Sequence, residues 1–241
     1  MKVIAELEPT RNREKLLNRV KMLAPNVDAI DIPEAPMGRP IASAPVLAAH
    51  LKALYPSLSF IPHIRVIDVN RVGLLSIAGG LKAAGVEEAV LLRGDAPVEG
   101  TAVNDLGVED AASLVKSRIR GAPRLGAMLS IRYPREKIAA RLSSSLDFFM
   151  VLRALHDREK LAWVAREARR LGKKLYAYII VYSERNREML RSMLGDQPLY
   201  PLDRVEEAAE SLRGTVDGVI VSSPGDVDAV VKACQRLARI A

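Results

Sequence analysis

Short runs of consecutive apolar residues recur eight times along the 241 residues, each followed by a segment of helical period. They lie at 3–7, 27–32, 58–64, 89–92, 125–129, 147–152, 174–181 and 218–221. The runs are continuous rather than alternating, so as strands they are buried on both faces, which implies a parallel sheet. Eight strand–helix units in a chain of this length predict a closed (β/α)8 barrel, one α/β domain spanning 1–241. The alternative is an open doubly wound sheet. Against it, no Gly-x-Gly-x-x-Gly follows the first strand. No domain boundary, low-complexity segment or further repeat is visible.

The punctuation between runs predicts the helices. Thr10 reads as the N-cap of a helix over 11–23, with Leu16, Leu17, Val20 and Leu23 on one face. Ser43 reads as the cap of a helix to 54, and Gly85 closes one over 69–84. A helix at 108–117 follows, then one opened by Tyr133-Pro134 and a long one over 158–171. Two helices, 184–194 and 202–212, are split by a proline-containing loop, and the last runs over 226–238.

The net charge of +7 favours anionic partners. Nucleic acid is the weaker candidate, because Arg and Lys are spread among Glu along the helices and only 4% of residues are aromatic. The single cysteine, Cys234, excludes an internal disulfide and reads as a buried, inert thiol. Many Arg and Glu with few Asn, Gln and Cys resemble a thermophile's usage. The chain enters a strand at Lys2 without a visible signal, and no apolar run is long enough to span a bilayer. By elimination, a cytoplasmic location without membrane contact is expected.

In a barrel, the carboxyl ends of the strands converge on one face, where ligands bind. Here they carry Glu6, Asp31, His63 with Arg65, Arg93 with Asp95, Ser130 with Arg132, Arg153, Tyr182, and Ser222 with Ser223. Any one of the arginines reads as a solvated loop residue; together they predict an anion site, since an anionic ligand relieves their repulsion. Ser222-Ser223-Pro224-Gly225 reads as a plain N-cap or as a phosphate site at the last helix. His63 is either structural or part of the site. No His/Cys/Asp cluster has metal-ligand spacing, and no Gly-x-Ser-x-Gly elbow is present. Glu6 and Asp95 as a glycosidase pair are opposed by the arginine excess and the lack of aromatic platforms.

Glu6-Leu7-Glu8-Pro9 on the first strand, Pro62-His63-Ile64 on the third and Leu92-Arg93-Gly94-Asp95-Ala96-Pro97 on the fourth occur in an order and spacing that resembles methylenetetrahydrofolate reductase. The likeness covers most of the chain and thins after the fifth strand. It implies a flavin-dependent barrel in which a reduced nicotinamide, NAD(P)H, passes hydride through FAD to the methylene carbon of a reduced pterin, giving the N5-methyl compound of one-carbon and methionine metabolism. FMN, or no flavin, are the alternatives.

By that resemblance Glu6 is the general acid that opens the five-membered ring to an iminium cation. Asp95 lies by flavin and pterin, Arg93 and Gly94 contact the flavin, and His63 sits near its phosphates or ribityl chain. Ser130 and Arg141 complete the cofactor side, and Arg153 and Tyr182 join Asp95 on the substrate side. Glu8 points the same way as Glu6 along a regular strand, and the match to the following proline selects Glu6. Burial beside Ile4, Ala5 and Leu7 is expected to raise its pKa.

The chain also departs from the family. Leu7 and Glu8 replace two aromatics, Ile32-Pro33-Glu34 replaces a threonine-tyrosine-glycine turn, and Leu129 a flavin-covering tyrosine. Arg141 or Leu142 falls where the family has a lysine that meets flavin phosphate, and Arg153 where a glutamine grips the pterin. A small pterin with extra negative charge suits Arg153. The other reading is a non-catalytic barrel that binds a pterin or nucleotide, or a partner subunit of a one-carbon enzyme; assembly as a homo-oligomer or with such a partner is the expectation.

Overall fold

Side chains of opposite parity along each strand divide between two apolar layers, which is why the runs are continuous. The computed structural model describes residues 1–240. The strands are β1 (Lys2–Glu6), β2 (Ala29–Ile32), β3 (Ser59–Arg65), β4 (Glu88–Leu92), β5 (Arg124–Ser130), β6 (Phe148–Leu152), β7 (Lys174–Tyr182), β8 (Leu199–Pro201) and β9 (Gly218–Ser222). The helices are α1 (Arg13–Leu23), α2 (Ala44–Leu54), α3 (Arg71–Ala83), α4 (Val108–Arg118), α5 (Arg135–Leu142), α6 (Arg158–Arg170), α7 (Arg187–Leu194), α8 (Val205–Glu210) and α9 (Val227–Leu237). Parallel pairing runs from β1 through β7 to β9 and back to β1, closing the (β/α)8 barrel. Inward residues such as Ile4, Ile61, Val90, Phe148, Met150 and Ile220 fill it. Residues between them, such as Ala5, Ile30, Phe60, Leu91 and Phe149, pack beneath the helices.

β8 departs from the sequence expectation of a loop. Ile180 pairs with Ser222 of β9 and with Leu199 of β8, so β8 lies on the opposite edge of β7 from β9. That edge is left open because β7 has nine residues while β6 has five and stops at Leu152. An open edge presents unpaired backbone groups, and three residues of β8 cover it. Downstream, the expected helix over 202–212 resolves into a 3-10 turn, Leu202–Arg204, and the shorter α8.

Two helix caps also differ. Asn12, not Thr10, caps α1, its side chain accepting from the Lys15 N–H at 2.9 Å. Ser43 makes no capping bond; the first turn of α2 donates from the Ala44 N–H to the Glu34 carboxylate, which reaches back from the loop after β2. That bond ties a loop at the barrel mouth to a helix.

At the opposite end a carboxylate device recurs three times. Asp28, Asp147 and Asp217 each precede a strand, and each accepts from a backbone N–H on the neighbouring strand: Val3 at 2.8 Å, Leu125 at 2.8 Å and Leu175 at 2.9 Å. Their own N–H groups donate to the carbonyls of those same residues. These ring-like clamps fix register where β1, β5 and β7 begin.

Candidate active site

Glu6 and Asp31 are register partners on adjacent strands; Glu6 lines the cavity at the barrel mouth, and Asp31 lies enclosed beside it. The Asp31 carboxylate is fully buried and uses both oxygens: Oδ1 meets His63 Nε2 at 2.8 Å, and Oδ2 accepts from the Tyr178 hydroxyl at 3.0 Å. Glu6 Oε1 accepts from the Ser222 hydroxyl at 2.5 Å. Five strands thus contribute to one polar cluster set on the apolar barrel core. Some of the Glu6 surface opens onto the cavity, but the carboxyl sits deep enough for burial to raise its pKa to about 7, with the Asp31 charge adding to the rise. Burial opposes a charge on His63, yet Asp31 and Glu6 outweigh it and lift the imidazole's pKa above its usual value. Burial, then Asp31 and Glu6, holds Tyr178 well above the ordinary tyrosine range, so it stays a donor.

An inner cavity of about 250 Å³ stands over this floor, lined by Glu6, His63, Tyr178 and Ser222 below and by the 33–36 loop, Gly94, Asp95 and Leu194 above. Its wall is organised by Arg65, which the sequence offered only as a loop cation. The guanidinium is buried and donates to Asp68 Oδ2 at 2.6 Å, to the Ala35 carbonyl at 2.8 Å and to the Asp95 carbonyl at 2.7 Å. One side chain therefore holds two loops, one of them through Ala35, which has a left-handed φ of 41°. Gly94 is required here twice over. Its φ is +85°, and a Cβ would lie 2.9 Å from Arg65 Cζ. Gly38, with a φ of +72°, lets the same loop meet the Ala96 carbonyl.

An outer cavity of about 530 Å³ adjoins the inner one. Leu92, Gly94, Asp95, Met128 and Leu152 border both. The outer cavity adds Arg93, Ser130, Tyr133 and Arg141. Asp95 is exposed at the rim between the two. Glu6, His63 and Asp95 thus line one inner cavity, and Arg93, Ser130 and Arg141 the outer one, with Gly94 and Asp95 common to both. Leu129, by contrast, is fully buried in the layer under the helices; Met128 is the β5 residue that faces the cavities.

Several sequence-based placements are corrected. His63 lies on the inner floor beside Glu6, away from the outer cavity, because Asp31 holds its ring. Arg153 and Arg132 line neither cavity; both donate to Asp196 Oδ1, at 3.0 Å each, and Arg153 adopts a left-handed φ of 59°. Tyr182 also lies outside the cavities, beneath the Arg187 guanidinium at 5.3 Å; Tyr178, of the same parity and deeper in the long β7, takes the inward place. Unrelieved arginine repulsion is not found: Arg65, Arg132, Arg141 and Arg153 all pair with carboxylates, and Arg93 donates to Asn104. The start of α9 is capped by Asp226, just past the Ser222–Gly225 stretch read as the cap; its side chain accepts from the Ala229 N–H at 3.1 Å, so an anion there meets a carboxylate. Glu8 turns away after β1 ends and pairs with Arg19 at 3.2 Å, which leaves Glu6 alone of the two in the cavity.

Among the described residues no group of His, Cys, Asp and Glu has the geometry to hold a metal ion, and no helix is long and apolar enough to cross a membrane. Cys234 is buried and its thiol is pushed up to about 12.

No family model matches the chain, and no curated protein matches its sequence. Solved structures do match in shape. One is a Clostridium thermocellum protein that binds two copies of 5-methyl-5,6,7,8-tetrahydrofolic acid; it shares 11% identity over 100% of this chain and 96% of its own, with a TM-score of 0.68. A mutant tryptophan synthase α-subunit from Pyrococcus furiosus shares 14% identity over 99% and 95%, with a TM-score of 0.61. Tryptophan synthase from M. tuberculosis in its ligand-free form shares 12% identity over 98% and 91%, with a TM-score of 0.63. At these identities the likeness is one of fold.

Proposed function

We propose that the barrel binds a reduced pterin in the inner cavity and reduces its methylene group to methyl. The observation that carries the reading is Glu6: a carboxyl with a pKa near 7, at the floor of a cavity whose rim bears Asp95. A methyltetrahydrofolate-binding protein of the same shape supports the pterin. Glu6 donates its proton to the nitrogen that leaves the methylene carbon; the C–N bond breaks and its electron pair stays on nitrogen. The cationic iminium that results is matched by the Asp95 carboxylate, a fixed charge placed where positive charge develops. A hydride delivered to that carbon completes the methyl group.

The outer cavity fits a flavin in part. Leu92, Met128 and Leu152 provide an apolar floor for a flat ring, and Tyr133, exposed at the rim, adds an aromatic face. Arg93 and Ser130 would hold its polar edge, while Arg141 would offer the donors left free by Glu109 and the Met128 carbonyl. Were a flavin held by these residues, the chemistry it would supply is hydride donation, with NAD(P)H as the reductant.

Anaerobic incubation with the methylene-tetrahydropterin, NAD(P)H and FAD or FMN tests the reading, with the methyl product detected by mass. Product is expected from the native chain and a loss of about 10²–10⁴-fold in Glu6→Gln, the usual range for a general acid. No product with either flavin removes the catalytic reading. A non-catalytic pterin-binding subunit is favoured by one observation: Arg141 is already engaged by Glu109. Pterin binding without turnover would establish it.

A further inference from the structure

We propose that Asp31 is a positioning residue for Glu6: bonded by His63 and Tyr178 on both oxygens, it keeps a proton on the neighbouring Glu6 carboxyl. This rests on the reading of Glu6 as the acid, and extends it to a residue that the family resemblance does not supply.

The two carboxyls are register partners on β1 and β2 and face the same way, so both cannot ionise without repulsion. Their surroundings differ. Asp31 is fully enclosed and accepts from two donors, His63 Nε2 and the Tyr178 hydroxyl. Hydrogen bonds and a cationic partner favour the ionised form. Glu6 accepts from the Ser222 hydroxyl, feels the Tyr178 hydroxyl as well, has no cationic partner of its own, and opens onto the cavity, where a proton can be used. Unlike environments separate the roles of paired carboxyls, one a fixed anion and the other an acid.

The other charged groups nearby do not reverse this division. From the loop after β2, Glu34 acts on His63 and raises its proton affinity, which keeps the cation facing Asp31. Arg65, from β3, lines the cavity but spends its donors on Asp68 and two carbonyls. Asp95 stands at the cavity's upper edge, after β4, its backbone carbonyl bonded to Arg65. Burial and Asp31 are the two largest influences that raise Glu6. Asp31 neither reaches solvent nor needs to touch substrate; it acts through its neighbour.

The test needs neither pterin nor flavin. The ¹³C resonance of the Glu6 side-chain carboxyl, labelled in the full chain and assigned by its absence from Glu6→Gln, is followed against pH. In the native chain it is expected to titrate near 7, and in Asp31→Asn at least tenfold more readily, a shift of one pH unit or more downward. His63→Gln removes the cation but leaves the Asp31 charge, so it is expected to move the midpoint upward. This second variant carries the test should Asp31→Asn fail to fold. An unmoved midpoint in folded Asp31→Asn, or a downward move in His63→Gln, overturns the proposal. Because the readout is a titration, failure of the reductase reading leaves it standing, and its own failure leaves turnover to be judged separately.

Discussion

A carboxyl that is to give up a proton near neutral pH must be kept from losing it too early, and its cost appears in folding as well as in chemistry. Glu6 has an ordinary value of 4.5 when unfolded and about 7 in the barrel. Between those values the folded chain binds more protons than the unfolded one, so stability falls as pH rises through this window. Above it the penalty amounts to about 3 kcal/mol, from the size of the shift. Glu6→Gln, which keeps an acceptor for Ser222, is therefore expected to gain stability relative to the native chain between pH 5 and 8, measured as the difference in urea midpoints. A constant difference would show that Glu6 is not perturbed. Gly94→Ala has the opposite sign: it places a Cβ against Arg65 at a left-handed φ. A loss of about 1–3 kcal/mol is expected, with Asp95 displaced. Denaturant unfolding measures the loss; a change within 0.5 kcal/mol, the ordinary range for surface substitutions, would deny the contact. At this scale the sequence spoke unevenly. Glu6 was legible from a polar residue ending an apolar run. Tyr178 was not, because the last residue of β7 looked like the mouth and the strand outruns its neighbours. Asp31 was visible as a strand-end acid, but its partners, 32 and 147 residues away, were not.

At the scale of elements, apolar continuity sufficed for every barrel strand, and turn chemistry for the Gly85 end of α3. It failed where a cap came from afar, as Glu34 caps α2, and where an edge left by unequal strands called for β8. The recurrent aspartates before β2, β6 and β9 are a repeat that reads as ordinary loop acids until the strands are paired. Each satisfies a partly buried N–H, so Asp28→Ala and Asp147→Ala are each expected to destabilise by about 1–3 kcal/mol. Their effects should add, since β1 and β5 are clamped separately. Strong non-additivity in urea melts would mean that the clamps are one unit. α7 and β8 close one side of the mouth: Leu194 lines the inner cavity, and Asp196 latches the segment to Arg132 and Arg153. Asp196→Ala is expected to speed proteolysis between 183 and 199 with little change in the global melt. Equal protection in both chains would deny the latch.

For the whole molecule, closure of the barrel is what brings β1, β2, β3, β7 and β9 to one floor, and no local pattern announces it. Eight-fold alternation made the closure expected, and with it a shared mouth. The positive balance of the chain pointed to a ring of free arginines there, yet folding pairs most of them with carboxylates. The mouth consequently offers hydrogen-bond geometry and a protonated acid more than a bare positive field. On the function proposed above, such a site takes a polar heterocycle, and the outer cavity, apolar at its floor and charged at its edge, takes a second flat ring. Calorimetric titration with 5-methyltetrahydrofolate tests this most directly. Saturable binding is predicted for the native chain, at least tenfold weaker in Asp95→Ala. Absence of saturable binding, or equal affinity in the variant, would contradict a pterin site between Glu6 and Asp95.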